Sequence, residues 1–330
     1  MNVYIDKENL ISIYNKRNAS EIVADGIKLL KKHCNLFFNF KKEIVLAEEV
    51  IGAIIRQLSQ GLGEKTSQTF LETKFPERPI KDNIHRDIDK QCILLVNEDV
   101  HGINTVGGIL AGAVGDEEKI FNSLFLHNHE YGFDRRLKIG KHFRNWNDII
   151  DFALPFTDII IIDQFIFSEF DRANHNLHRF LESIHHNKTL KTNIVIFIKN
   201  GEIELGKELK DFTKIIRDSI KSATNKKANI TVIEVRDIKN IKSLAEHDRT
   251  VFTNYLRIYS GDTISNYFNN DGTKKTNGRE IEFSSLAKTE YFDLSKELIT
   301  DMQNIINWYK ENNPDAIQGD KKSNFLNFNS

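Results

Sequence analysis

The segment Glu246–Gly261, EHDRTVFTNYLRIYSG, decides the fold that the sequence predicts for the C-terminal half of the chain. Within it, His247–Phe252 and Tyr255–Tyr259 are two extended runs rich in aromatic and β-branched residues, and Thr253–Asn254 lies between them. Asparagine tolerates the left-handed backbone that a tight hairpin turn requires. The segment therefore predicts a β-hairpin that carries a histidine, an aspartate and two arginines.

Strands and helices alternate along the chain before this hairpin. The predicted strands cover residues 158–163, 194–198 and 230–235, and the predicted helices between them cover 169–186 and 203–223. This alternation is typical of right-handed βαβ units, which build a parallel sheet. A last strand at 281–283 and a last helix at 294–309 follow. We expect an α/β fold with a mixed, largely parallel sheet and helices on both faces.

The first 145 residues predict a separate α/β region. Val3–Ile5 reads as a short strand, Ser20 as the cap of a helix, and residues 43–58 as one amphipathic helix. The glycine-rich segment 106–116 lacks the Gly-Lys-Ser/Thr ending of a phosphate-binding loop, and so it predicts a flexible turn or close backbone packing.

The predicted domain organisation has three parts. An N-terminal α/β region of unknown role covers residues 1–145, the hairpin-containing domain covers 146–312, and a polar, frayed tail covers 313–330.

Composition limits the classes of partner. The 330 residues carry a formal net charge of −1, so no overall positive field attracts the chain to nucleic acid or to an anionic membrane. Any such contact must come from a local patch. The two cysteines, Cys34 and Cys92, lie among apolar residues and are expected to be buried thiols. The chain begins without the pattern of a signal peptide, and we expect a cytoplasmic protein. Its high Asn, Lys, Ile and Phe content suggests a bacterial source.

The hairpin also supplies the candidate site. His247 and Arg249 point to the same face of a strand, because side chains alternate along it. An imidazole beside a guanidinium suits a phosphate group, which arginine binds through two parallel hydrogen bonds and which histidine can attack or protonate. His247 is therefore the candidate catalytic residue, and Arg249, Asn254 and Arg257 are the candidate phosphate-binding residues. The alternative is a structural His247 beside an Arg249 that pairs with a carboxylate.

Two other polar segments are candidates for binding. A local basic cluster in this neutral chain predicts either an anion-binding patch or a solvated surface, and it contains Arg135, Arg136, Lys138, Lys141 and Arg144. Leu126–Glu130 contains two histidines at i, i+2, but no third ligand follows at a spacing typical of zinc sites. We predict no metal and no cofactor.

Residues 150–270 resemble the phospholipase D superfamily, whose hairpin carries the motif His-x-Lys-x-x-x-x-Asp. The resemblance is closer to a degenerate branch, the phospholipase D-like domain at the C-terminus of MIT-domain proteins. That branch also has His-Asp-Arg, as at His247–Arg249, and then an Asn near the turn, as at Asn254. The strand Ile159–Ile162, followed by Asp163, is similar to a strand of that branch which ends in an acidic residue. Asp163 and Asp248 are the expected supporting residues.

The resemblance implies a binding role more than a catalytic one. In the hydrolytic family the histidine is the nucleophile, the lysine binds phosphate and two motifs form one active site. Here Arg249 and Asn254 replace the lysine and the aspartate, and no second copy of the motif stands in a matching context. A homodimer would supply a second His247. The MIT-associated branch binds phospholipid surfaces.

Three hypotheses follow from these observations. The first is a non-catalytic domain that binds a phosphate-bearing partner, either nucleic acid or an anionic lipid, in a role compatible with bacterial defence. The second is a nuclease or phosphodiesterase that acts through a phosphohistidine at His247, at a dimer interface. The third is a scaffold that binds a protein partner through residues 1–145.

Overall fold

The computed structural model describes most of the chain, in two compact units. The described residues are 1–63, 66–71, 90–98, 100, 108–128, 132–184, 192–199, 208–224, 228–235, 249–275 and 279–329. Unit 1 consists of Met1–Asp134 and Ser285–Phe292, and unit 2 of Arg135–Ser284 and Asp293–Ser330. Each unit contains a sheet and helices, which confirms the α/β class. The first boundary falls after Asp134 and not after residue 145.

The sheet of unit 1 is parallel at every pair of its five strands. The strands are β1 (Asn2–Ile5), β2 (Asn35–Phe38), β3 (Gln68–Phe70), β4 (Ile93–Leu95) and β5 (Leu110–Gly112). Their order is β3-β2-β1-β4-β5. The chain runs outward from β1 to β3 and then returns to the other side of β1 at β4. This reversal between β1 and β4 is the topological switch point of an open parallel sheet.

The helices of unit 1 follow the sequence pattern with one difference. They are α1 (Lys7–Lys16), α2 (Glu21–His33), α3 (Glu43–Ala47), α4 (Glu49–Ser59) and α5 (Glu117–Leu124). Ser20 caps α2 as predicted, because its hydroxyl accepts a hydrogen bond from Val23 N at 3.3 Å. The single helix predicted for residues 43–58 is instead divided into α3 and α4 at Glu48, whose backbone is extended. The apolar spacing continues across this break and so does not reveal it.

The glycine-rich segment 106–116 contains a strand where the sequence predicted a turn or close packing. Strand β5 pairs with β4, and Gly112 aligns with Leu95. A Cβ atom on Gly112 would lie 2.9 Å from the side chain of Ile120 on α5. Gly112 therefore allows α5 to pack closely on the sheet. The small size of glycine, and not its flexibility, explains why a glycine lies at this position.

The sheet of unit 2 is mixed. Its strands are β6 (Asp134–Lys138), β7 (Asp158–Ile162), β8 (Asn193–Lys199), β9 (Asn229–Val235), β10 (Thr250–Thr253), β11 (Leu256–Ser260), β12 (Glu280–Ser285) and β13 (Ile317–Gly319). They lie in the order β13-β9-β8-β7-β10-β11-β12-β6. The predicted parallel core is the set β7, β8 and β9, and β10 and β13 flank it in antiparallel orientation. Every residue of β7 is buried, as expected for a central strand.

The described helices of unit 2 match the predicted ones within a few residues at most ends. The longer ones are a 3₁₀ helix (Trp146–Phe152), α6 (Phe170–Ile184), α7 (Leu209–Thr224) and α8 (Thr289–Asn312), which begins in unit 1, and two short 3₁₀ helices cover Ile264–Asn266 and Pro314–Ala316. In α8, Leu298, Met302 and Ile306 are buried as predicted. Leu294, also predicted to point inward, is 39% exposed.

The prediction of a frayed polar tail at 313–330 was wrong. Ile317–Gly319 forms β13, which pairs with β9, and Leu326 is buried. The buried carboxylate of Asp158 accepts hydrogen bonds from Ser323 Oγ at 2.6 Å and from Asn324 N and Nδ2 at 2.7 and 2.6 Å. Ser323 and Asn324 are thus donors to a buried acid, a role that composition does not distinguish from solvation.

We expect Asn324→Ala to lower the free energy of unfolding by about 1–3 kcal/mol, because the variant leaves a buried carboxylate oxygen without one of its donors. The exposed Asn329 offers a matched control, and Asn329→Ala should change stability by less than about 0.5 kcal/mol. Urea denaturation measures both. Equal stabilities of the two variants would contradict the packed C-terminal segment.

Both cysteines are buried thiols outside any disulfide, as predicted. Burial raises the pKa of the Cys34 thiol to about 11. Because the thiolate is the reactive form, we expect the native protein to react with neither thiol at neutral pH and the urea-unfolded protein to react with both. A chromogenic disulfide reagent measures this. Rapid labelling of the native protein would contradict the placement of these residues in the core.

Candidate functional site

The predicted hairpin is present in unit 2. Strand β10 pairs with β11 in antiparallel register, with Phe252 opposite Arg257 and Thr250 opposite Tyr259. The two-residue turn is therefore Asn254–Tyr255, one residue later than predicted. The hydroxyl of Thr253 accepts a hydrogen bond from Leu256 N at 3.1 Å and helps to close the turn.

Asn254 fixes this turn to the start of β7. Its side chain is fully buried, and Oδ1 accepts hydrogen bonds from the backbone N–H groups of Thr157 at 3.0 Å and Asp158 at 3.3 Å. Its Nδ2 donates to Thr157 Oγ1 at 3.3 Å. The amide that the sequence assigned to phosphate binding is thus enclosed by protein and joins two strands.

Arg249 lies at the opposite end of the hairpin, before β10 and not within a strand as predicted. It adopts a left-handed backbone conformation (φ 60°) immediately before β10, and its carbonyl accepts a hydrogen bond from Ser260 N at 2.8 Å. Its Nη1 donates to the carbonyl of Gly261 at 3.3 Å. Because Thr250 aligns with Ile162, Arg249 lies beside Asp163, at the edge of the sheet where β7 ends.

Arg257 is separate from both of these residues. It is half-buried near the middle of β11, with its side chain on the same face of the strand as the exposed Tyr259. Three residues separate it from Ser260, the partner of Arg249, which is about 10 Å along a strand. The structure thus distributes Arg249, Asn254 and Arg257 along the hairpin and does not bring them into one site.

His247 and Asp248 lie outside the described residues. The candidate nucleophile and one of the two supporting acids therefore have no structural description. The catalytic hypothesis stays a prediction.

Asp163, the other supporting acid, is fully buried after β7. Its Oδ2 accepts hydrogen bonds from Thr263 Oγ1 at 2.7 Å and from Ile264 N at 2.8 Å, and its Oδ1 accepts one from Phe165 N at 3.2 Å. These bonds hold the segment after β11 against the carboxyl end of β7. Asp163 thus supports the edge that carries Arg249.

The same edge contains charged residues that sequence reasoning missed. Asp262 follows β11, is 5% exposed and forms an ion pair with Arg279. Its Oδ1 accepts a hydrogen bond from Thr263 N at 2.8 Å. Arg172, on α6, lies near enough for the Asp262 charge to act on it: burial lowers the pKa of Arg172, and the carboxylate partly opposes that shift.

We call Arg172, Arg249 and Arg279 the arginine edge. Arg249 contacts Gly261, and the other two interact with Asp262, so all three converge on one loop segment. They are separated by up to 107 residues in the chain, and no local spacing marks them. Only the order and the ends of the strands bring them together.

The predicted basic cluster lies on the surface of unit 2. Lys138, Lys141 and Arg144 are exposed and Arg135 is half-buried. Arg136, on β6, is also exposed and pairs with Glu282 of β12 at 2.7 Å. A carboxylate thus already offsets one of the five charges. The cluster remains open to both of its interpretations.

His127, in the segment weighed as a zinc site, lies at the end of α5. Its Nδ1 is 2.8 Å from Asn122 Nδ2, and His129 and Glu130 fall outside the described residues. Among the residues that are described, no group of three or more His, Cys, Asp or Glu side chains is placed to hold a metal ion.

Comparisons with known proteins add no family. No protein-family model matches this chain, and no curated protein is significantly similar to it. The resemblance to the phospholipase D superfamily therefore stays a prediction that rests on the residues quoted above. Over the described parts of the chain, no helix is long and apolar enough to cross a membrane.

We expect Asn254→Ala to destabilise unit 2 by about 2–4 kcal/mol, because it leaves two buried N–H groups without their acceptor. Arg257→Ala, three residues away in a half-buried position, should cost less than about 1 kcal/mol. Thermal and urea denaturation measure the difference. Native stability of the Asn254 variant would contradict its structural role.

Proposed function

We propose that this protein binds a phosphate-bearing partner at the arginine edge of unit 2. The observation that carries the proposal is that Arg249 and Arg279 contact the Gly261–Asp262 segment, with Arg172 close enough for the charge of Asp262 to act on it. Guanidinium groups match the geometry of phosphate oxygens and stay charged at all physiological pH values.

The position of the arginine edge supports the same proposal. In open α/β sheets, ligands bind beyond the carboxyl ends of the parallel strands. Arg249 lies at that end of β7, and Asp163 fixes the adjoining loop through Thr263 and Ile264. Because the loop is already ordered, less conformational entropy is lost when a ligand binds.

The neighbouring carboxylates limit the strength of binding. Asp262 pairs with Arg279, and Arg172 also contacts the exposed Glu169. An incoming phosphate group would compete with Glu169 for Arg172. We therefore propose reversible, salt-sensitive binding of a phosphodiester, as found in nucleic acids and in anionic lipid head groups.

The test compares wild-type protein with Arg249→Ala, using Arg257→Ala as a control from the same hairpin. Binding of a fluorescent oligonucleotide is followed by anisotropy, and binding of phosphatidylserine vesicles by co-sedimentation. We expect one of the two probes to bind more weakly as salt increases. Arg249→Ala should reduce that affinity about tenfold or more, since a charge-assisted hydrogen bond contributes about 1.5–3 kcal/mol. Arg257→Ala should leave it nearly unchanged.

A second variant separates binding from folding. Arg249→Gly removes the same guanidinium and suits the left-handed backbone at this position, so the hairpin should be retained. The proposal is rejected if both Arg249 variants fold and bind like the wild type. Equal losses in the Arg249 and Arg257 variants would instead indicate a diffuse charge effect and would also reject the arginine edge as the site.

A further inference from the structure

Unit 1 has a second polar edge, at the switch point of its parallel sheet. Strands β1 and β2 end immediately before Asp6 and Asn39, and Asn97 lies two residues beyond β4. Asn9 lies in the first turn of α1. Because parallel strands end at the same side of a sheet, these residues collect where an open α/β sheet has its binding crevice. This edge plays no part in the function proposed for unit 2.

Asp6 interacts with the strand ends and does not cap its helix. It is the N-cap residue of α1, yet its side chain makes no capping hydrogen bond. Its Oδ1 accepts a hydrogen bond from Asn39 Nδ2 at 2.7 Å, and its Oδ2 accepts one from Asn97 N at 2.6 Å. Each carboxylate oxygen can accept more than one hydrogen bond or ligand, so acceptor capacity remains.

Asn9 is oriented by a different acid. Its Nδ2 donates to Glu117 Oε1 at 3.3 Å. The other oxygen of Glu117, Oε2, accepts hydrogen bonds from Ser12 Oγ, Lys16 Nζ and Gly115 N at 3.1–3.2 Å. Lys16 thus balances the charge of Glu117. The hydrogen bond from Asn9 to Glu117 fixes the orientation of the Asn9 amide.

The orientation of both amides leaves two oxygen atoms without a partner. An ionised carboxylate only accepts hydrogen bonds, so Asn9 and Asn39 must each direct the NH₂ group toward their acid. Asn9 Oδ1 and Asn39 Oδ1 are then buried, and neither has a hydrogen-bond partner among the described residues. A buried polar atom without a partner destabilises the fold, and its presence in a native site requires an explanation.

We propose that Asp6, Asn9 and Asn39 form a binding site for a hydrated divalent cation of the Mg²⁺ class. Carboxylate and amide oxygens are the ligands that Mg²⁺ and Mn²⁺ prefer. Mg²⁺ commonly retains several waters and is bound by only one or two carboxylates together with a phosphate group. With Asp6 as the one carboxylate, the bound ion keeps a net positive charge, and so the ligand class that it favours is a phosphate ester.

A bound cation would accept both amide oxygens as ligands and so satisfy them. Two buried waters would also satisfy the amide oxygens. The two alternatives differ in their response to a cation.

The experiment uses the full chain and Mn²⁺ as the probe, with bound Mn²⁺ counted by electron paramagnetic resonance. We expect one weak site in the wild type. Asp6→Asn should weaken it about tenfold or more by removing the carboxylate charge. Asp25→Asn is the matched control, because Asp25 is a carboxylate of α2 in the same unit that pairs with Lys28 at 2.6 Å. That variant should bind as the wild type does.

Asn39→Asp keeps the inference testable if Asp6→Asn does not fold. The new carboxylate would repel Asp6 and lower the melting temperature in the presence of a chelator, whereas Mn²⁺ should restore it and bind more tightly than to the wild type. Two results would overturn the inference. One is a folded Asp6→Asn variant that binds Mn²⁺ with wild-type affinity. The other is an Asn39→Asp variant whose melting temperature does not change when Mn²⁺ is added. Absence of Mn²⁺ binding in the wild type and in both variants would overturn it as well and would indicate buried waters.

Discussion

Parallel strand pairing is the constraint from which both candidate sites arise. Parallel strands need crossover connections, so each strand ends at the same edge of the sheet as its neighbours. In unit 1 this places Asp6 and Asn39 at adjacent strand ends. In unit 2 it places Asp163 at the carboxyl end of β7, where the antiparallel β10 brings Arg249 beside it. Polar residues distant in sequence thus meet without any local motif.

Hydrogen-bond partners separate the structural polar residues of both units from the candidate binding residues. Asn254 and Asp158 use their side chains on backbone N–H groups and neighbouring amides. Asp163 likewise holds the loop after β11. The arginine edge is different, because its groups combine partial exposure with positive charge. The amide oxygens of Asn9 and Asn39 differ in another way, since they are buried without a partner among the described residues.

The sequence predicted the strands and helices better than the contacts that their polar residues make. The strand at Ile159–Ile162 and the helix cap at Ser20 depend on residues close together in the chain, and both predictions were confirmed. The break at Glu48 was missed because the apolar spacing of the helix continues across it. The strand in the glycine-rich segment was missed because the glycines were interpreted as a turn or as close backbone packing. The polar C-terminal segment was misread for a related reason. Its Ser323 and Asn324 bind Asp158, which is distant in the chain.

The candidate site was predictable only in part, for the same reason. The hairpin follows from local pattern, but the left-handed backbone of Arg249 before β10 does not, because the prediction placed Arg249 inside an extended strand. The burial of Asn254 depends on Thr157, and the partners of Asp262 come from α6 and from the segment before β12. No spacing within a single segment contains that information. The order of the strands contains that information, and this order is known only from the assembled sheet.

The most direct test of the arginine edge is a nuclear magnetic resonance titration of ¹⁵N-labelled protein with a short oligonucleotide and, separately, with a soluble phospholipid head-group analogue. The proposed site predicts that the backbone amides of Gly261, Asp262 and Thr263 shift first and saturate together with one of these ligands. Shifts that spare this loop and cluster at the Asn254 turn or on β6 would contradict it.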